Sequence, residues 1–154
     1  GTIEYRDSQK IQVADIPGLI DGASEGRGKG HDFLRHVERT KALCYMIDAA
    51  GTDMRDPLQD LCILAQELGA YGDGSLLERR ALVVANKLDL LPEDEISDLL
   101  ASIQRTAQEV GIRREGDVIG ISAGVTGQGL PQLAQAFRMI VSRSDADRHE
   151  SLAV

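Results

Sequence analysis

The spacing of apolar positions changes along the chain, and each spacing predicts an element. Ile3 and Tyr5 alternate with polar residues, as do Ile11 and Val13, and "RDSQK" lies between the two pairs. That pattern predicts an antiparallel hairpin. Residues 42–50 ("ALCYMIDAA") and 81–87 ("ALVVANK") are nearly continuous apolar runs, which suits strands buried on both faces of a parallel sheet. Residues 117–123 ("DVIGISA") are a weaker example. Helical spacing fills the gaps. Asp32 can cap a helix in which Phe33, Leu34 and Val37 share a face. Asp56 followed by Pro57 is a helix start, with Leu58, Leu61, Ala65 and Leu68 forming a stripe. A third helix carries Ile96, Leu99, Leu100, Ile103, Ala107 and Val110 and ends at Gly111. Pro131 opens the last, where Leu130, Leu133, Ala134, Phe137, Ile140 and Val141 form one face. The polar segment after Ser142 is predicted to be a frayed tail, residues 143–154.

Strands alternating with helices predict a doubly wound α/β sheet, in which ligands bind outside the carboxyl ends of the strands. Three polar clusters fall at such ends: Asp15, Ile16, Pro17 and Gly18; Asn86, Lys87 and Asp89; and Ser122 with Ala123.

Composition narrows the classes. The 154 residues suit one domain, and 27% charged with 42% hydrophobic residues is ordinary for a globular chain. A net charge of -8 argues against a surface that seeks nucleic acid as a whole. Cys44 and Cys62 both lie in apolar segments and read as reduced core residues. No apolar run reaches 18 residues, so no membrane insertion is expected.

The chemistry of the clusters is specific. A short carboxylate accepts two hydrogen bonds side by side, and guanine offers such a pair from its ring N–H and exocyclic amine. Adenine does not, so Asp89 facing adenine would be left unpaired, and that penalty discriminates. Asn86 can bond the base and tie neighbouring loops. The stem of Lys87 can lie along the purine face. The Ala123 N–H can meet the guanine oxygen. Asp15 can hold a Mg²⁺-bound water, while the Gly18 N–H can approach a terminal phosphate with no side chain in the way. Taken alone, Asn-Lys-x-Asp is also an ordinary strand exit with Asp89 as a helix cap, and Asp15 an ordinary turn residue.

"DIPG", "NKLD" and "ISA", in this order after strands, resemble the nucleotide-binding motifs of translation-factor-type GTPases. More narrowly, "VADIPGLIDGASEGRGKGHDFLRHVERTKAL" and "DPLQDLCILAQELGAY" resemble the Obg family. The resemblance covers residues 1–142. It implies a P-loop NTPase-type three-layer sandwich with a mostly parallel sheet, and a switch that hydrolyses GTP with Mg²⁺ and assists assembly of the large ribosomal subunit. Guanine nucleotide (GTP or GDP) and the large subunit or its rRNA are the implied partners.

The chain departs from the family pattern in three places. No Gly-x-x-x-x-Gly-Lys-Ser/Thr occurs in it, and the resemblance places Gly1 just after the first switch. An N-terminally truncated domain is therefore expected, with the central first strand missing and a gap between residues 11–13 and 43–47. Such a fragment is expected to bind nucleotide poorly and hydrolyse it negligibly by itself. Leu19, hydrophobic as in the family, stands where many GTPases carry a water-orienting glutamine. "ISAGVTGQG" is one residue longer than the family's usual loop.

Residues 27–41 hold five Lys/Arg, two His and two acids, a local charge of +3. Arg27, Lys29, Arg35 and Arg39 therefore form a candidate surface for rRNA phosphates or a partner; a solvated face with Arg35–Glu38 pairing is the alternative. Two function classes follow: an Obg-type GTPase, or a non-catalytic docking module derived from one. A mitochondrial location is expected, with a cytoplasmic one as the alternative.

Overall fold

The computed structural model describes residues 1–15, 35 and 37–152. Strands β1 (Thr2–Glu4) and β2 (Lys10–Gln12) pair antiparallel, with Ile3 opposite Ile11. The pairing continues at the open end, where Val13 N–H donates to Gly1 O at 2.9 Å. The predicted hairpin is thus present.

A separate parallel sheet has the order β3 (Leu43–Asp48), β4 (Ala81–Asn86), β5 (Ile119–Gly120). Helix α1 (Pro57–Ala70) connects β3 to β4, and α2 (Glu93–Glu109) connects β4 to β5; α3 (Leu130–Leu152) follows. The continuous apolar runs are explained by this layering. Tyr45, Ile47, Ala81, Val83 and Ala85 face a core completed by Leu61, Leu64 and Leu68 of α1 and Ile103 and Ala107 of α2. Leu82, Val84 and Ile119 face the other side, against Leu133 and Ile140 of α3. A period of two within an unbroken apolar run therefore feeds two cores, one on each face. The result is the expected three-layer α/β arrangement.

Helix ends follow their sequence signals. The Asp56 carboxylate accepts from Leu58 N–H at 2.8 Å and Gln59 N–H at 3.2 Å, with Pro57 in the first turn. α2 closes with a Schellman pattern: Gly111 lies at φ +83°, its N–H donates to Gln108 O, and Ile112 N–H donates to Ala107 O. Glu93, Asp94 and Glu95 fill the first turn of α2, the favourable end for negative charge.

Three details differ from the sequence expectation. α3 does not stop at Ser142 but runs to Leu152, because its polar half has partners: Arg143 donates to Glu115 at 2.7 Å, Lys41 pairs with Asp145 at 2.6 Å, and Ser144 is buried. Leu130 is exposed rather than part of the buried face, which Ala136 helps to form instead. The strand foreseen over residues 117–123 is regular only at Ile119–Gly120, since the chain then folds back through a Ser122–Gln128 bridge. The helix foreseen after Asp32 lies largely outside the described residues; Arg35, Val37 and Glu38 are helical.

Among the described residues, β2 pairs only with β1, and β3 only with β4. A cleft of about 1510 Å³ separates them, lined by Ile11, Val13, Cys44 and Met46 among others. Among the described residues, no strand lies between residues 11–13 and 43–47, where a gap was expected. The hairpin is held at a distance from the sheet by α3: the Tyr5 hydroxyl donates to Ala134 O, and Arg138 both covers the Tyr5 ring at 5.4 Å and pairs with Asp7. Cys44 and Cys62 are free thiols, both partly buried; burial pushes the Cys44 thiol up to about 12, which disfavours the thiolate.

Candidate functional site: a rim at the carboxyl ends of the strands

β3 and β4 end in register, Asp48 opposite Asn86, and Ser122 follows β5 beside them. Three backbone bonds close this rim. Ala49 N–H donates to Asn86 O at 3.0 Å, Ile121 N–H to Ala85 O at 2.8 Å, and Leu88 N–H to Ile121 O at 3.2 Å.

Side chains then tie the loops. Asn86 Oδ1 accepts from Lys87 N–H at 2.8 Å and from Ala123 N–H at 3.1 Å. One amide oxygen thus joins the loop after β4 to the loop after β5, and among the described residues the two amide N–H donors of Asn86 have no acceptor. The Ala123 N–H, expected to meet a base oxygen, has Asn86 as its partner here. Ser122 is buried, and its Oγ accepts from Asp89 N–H at 3.1 Å. That bond fixes the backbone of Asp89 while its side chain stays exposed. Among the described residues the Asp89 carboxylate has no hydrogen-bond or ion-pair partner. Asn86, Lys87, Asp89, Ser122 and Ala123 are therefore brought together, as their places at strand ends implied.

Lys87 has its ammonium held by the neighbouring strand end. Its backbone is left-handed, at φ 65°. Its ammonium donates to Asp48 Oδ2 at 2.7 Å and to Thr52 Oγ1 at 2.9 Å, and the Thr52 hydroxyl itself donates to Asp48 Oδ2. Partial burial pushes the Asp48 carboxyl upward, but the bonds from Lys87 and Thr52 outweigh it and hold the group below its ordinary value. Asp48 and Thr52 were missed from the sequence. The signal available was a carboxylate closing an apolar strand, the same signal that marked Asp89.

The switch side of the rim is described only in part. Asp15 is exposed where the chain leaves β2. Ile16, Pro17, Gly18, Leu19, Arg27, Lys29, His31 and His36 lie outside the described residues. Arg35 and Arg39 are exposed, and Arg39 lines the cleft. Arg79, not foreseen, gathers the end of this segment: one of its nitrogens donates to Val37 O at 2.7 Å, Glu38 O at 3.1 Å and Thr40 O at 2.9 Å. Among the described residues no group of three or more His, Cys, Asp or Glu could enclose a metal. An exposed single carboxylate such as Asp15 fits Mg²⁺, which takes one or two protein oxygens and completes its shell with phosphate and water. No helix of the described residues is long and apolar enough to cross a membrane.

A parallel sheet with helices on both faces, carrying Asn-Lys-x-Asp and Ile-Ser-Ala on neighbouring strand ends, defines the class: a GTPase domain. Comparison with known proteins agrees. Residues 1–87 match the family described as 50S ribosome-binding GTPase. Among curated relatives, the chain is 42% identical over 136 residues to GTPase Obg of Desulfitobacterium hafniense (strain DSM 10664 / DCB-2), covering 88% of this chain and 30% of that protein. It is 41% identical over 143 residues to GTPase Obg of Protochlamydia amoebophila (strain UWE25), covering 93% and 40%. For GTPase Obg of Staphylococcus aureus (strain MRSA252) the figures are 42% over 137 residues, 89% and 30%. The chain belongs to the 50S ribosome-binding GTPase family, and within it to the Obg type. It spans 30% to 40% of the length of these relatives.

Proposed function

We propose that the chain carries the guanine-recognition and switch parts of a Mg²⁺-dependent, Obg-type GTPase that assists assembly of the large ribosomal subunit. The observation that carries this reading is the state of Asp89. Its backbone is pinned by buried Ser122, its carboxylate is exposed and unpartnered among the described residues, and Asn86 ties the flanking loops. A fixed carboxylate with free lone pairs suits the paired donors on the guanine edge. Asn86 would offer its amide N–H groups to a ring nitrogen of the base, and the stem of Lys87 would cover one face.

On the phosphate side, Asp15 would hold Mg²⁺ through a water and Gly18 would offer its N–H to the terminal phosphate. Bound Mg²⁺ supplies charge compensation for the phosphate oxygens. The Leu19 side chain has no polar atom with which to orient water, so hydrolysis depends on groups other than that side chain. The match to a family described as 50S ribosome-binding supports a ribosomal partner, and the exposed Arg35 and Arg39 are the described members of the basic surface proposed to meet rRNA phosphates.

The test is a titration of the ¹⁵N-labelled chain with GDP and with ADP, in Mg²⁺, followed by NMR, which registers millimolar affinities. Shifts confined to residues 86–89 and 122–123 with GDP, and absent with ADP, are expected. Equal shifts with both nucleotides, or none with either, would contradict the guanine site and favour a docking module.

A further inference from the structure

The motif that would read guanine contains an internal hazard. Lys87 and Asp89 are two residues apart, and a mobile ammonium there would pair with the carboxylate that must stay free. In the structure the ammonium is held elsewhere, by a loop folded around Asp48. Asp48 Oδ1 accepts from Ala50 N–H at 3.1 Å, its carbonyl accepts from Gly51 N–H at 3.2 Å, and its Oδ2 takes both Thr52 and Lys87.

The loop is shaped for this task at a conformational cost. Asp53 and Met54 sit in the left-handed region, at φ 60° and 59°, as does Lys87 on the opposing strand end. Each such non-glycine residue costs about 1 kcal/mol or more, and such strain persists only where surrounding contacts determine it. Gly51, at φ +62°, is required outright, because a Cβ there would collide with the Arg55 carbonyl oxygen. Met54 is fully exposed, so burial of its side chain does not explain the turn.

We propose that Asp48, supported by Thr52, is a positioning residue of the base site: it anchors the Lys87 ammonium, presets the Lys87 stem as one wall for a purine, and keeps that cation off Asp89. The anchor removes the rotamer freedom that a four-carbon stem would otherwise lose when a base lands on it. The inference rests on the guanine reading above and deepens it.

The experiment is a cycle of D48N, K87M and the double variant in the full chain, titrated with GDP and ADP in Mg²⁺ by NMR, with urea unfolding of each. K87M keeps most of the stem and removes the ammonium. D48N is expected to weaken GDP about three- to tenfold. The same substitution in the K87M background is expected to change GDP affinity less than about twofold, because Asp48 then has no cation to hold. A role of Asp48 confined to shaping its own loop would persist undiminished in the K87M background, and that additive result would overturn the proposal. Wild-type GDP binding unaffected by D48N would also overturn it while leaving the guanine reading intact. Absence of any GDP-specific response in the wild type would remove the guanine reading and this inference together.

Discussion

Strands β3 and β4 lie side by side with every residue in register, yet they live in different environments. Ala81 to Ala85 of β4 are all buried, with a strand on each edge and a core on each face. In β3 only Tyr45 and Ile47 are fully buried, and Met46 is 45% exposed, because among the described residues one edge and part of one face border the cleft. The same contrast reaches the strand ends. Asp89, on the fully supported side, has a pinned backbone and a carboxylate without a partner among the described residues. Asp48, beside the cleft, has a carboxylate filled by Lys87, Thr52 and Ala50. The difference teaches that, among the described residues, the carboxylate left open sits where the scaffold is complete, and the carboxylate used as an anchor sits where the scaffold alone does not hold the loop.

The largest effect should come from placing one charge on each strand. Val84 and Met46 are register partners, at 0% and 45% exposure. Val84→Asp should abolish cooperative urea unfolding, since an unpaired buried charge costs more than about 4 kcal/mol. Met46→Asp should stay within about 1 kcal/mol of wild type. Similar losses at both positions would erase the contrast between the strands.

A smaller effect is expected at Asp56, which caps the helix leading away from β3. Asp56→Ala should cost about 1 kcal/mol in denaturant unfolding, with no change in nucleotide preference. A loss of guanine response in that variant would show that the base site depends on the α1 start.

Asp48 also sharpens the comparison through pH. Its carboxyl is held below the ordinary 3.8 in the folded chain, so the pair contributes stability above that value and loses it as pH falls toward the folded-state value. The acid limb of stability, measured by thermal unfolding between about pH 5 and 2, should therefore be shallower in D48N than in wild type. An unchanged limb would mean that the Lys87 bond contributes nothing net. The smallest effect belongs to the exposed arginines. Replacing Arg35 and Arg39 by Gln should leave stability within about 0.5 kcal/mol while weakening ribosome association in a salt-dependent manner. Undiminished association in a sedimentation assay would remove that surface from the account.

The layered fold was legible because residues 81–85 and 43–47 are too uniformly apolar for a one-sided sheet, and because Asp56-Pro57 and Gly111 are local signals that need no tertiary context. The meeting of Asn86, Lys87 and Asp89 with Ser122 and Ala123 on one rim was legible because both groups follow neighbouring strands of one parallel sheet. What stayed hidden depends on distant partners. The Lys87 anchor joins positions 35 and 39 residues apart, and Arg79 reaches 42 residues to Val37. The length of α3 depends on Glu115 and Lys41, which no local pattern couples to a polar tail.

The most direct test of the proposed base site exchanges Asp89. Asp89→Asn replaces two acceptors with one acceptor and one donor, which no longer matches guanine but does match xanthine, whose amine is replaced by a carbonyl. NMR titration of wild type and D89N with GDP and xanthosine diphosphate is expected to show GDP preferred by the wild type and the order reversed in D89N, each by about tenfold or more. The same preference in both proteins would contradict the account, because Asp89 would then not face the base.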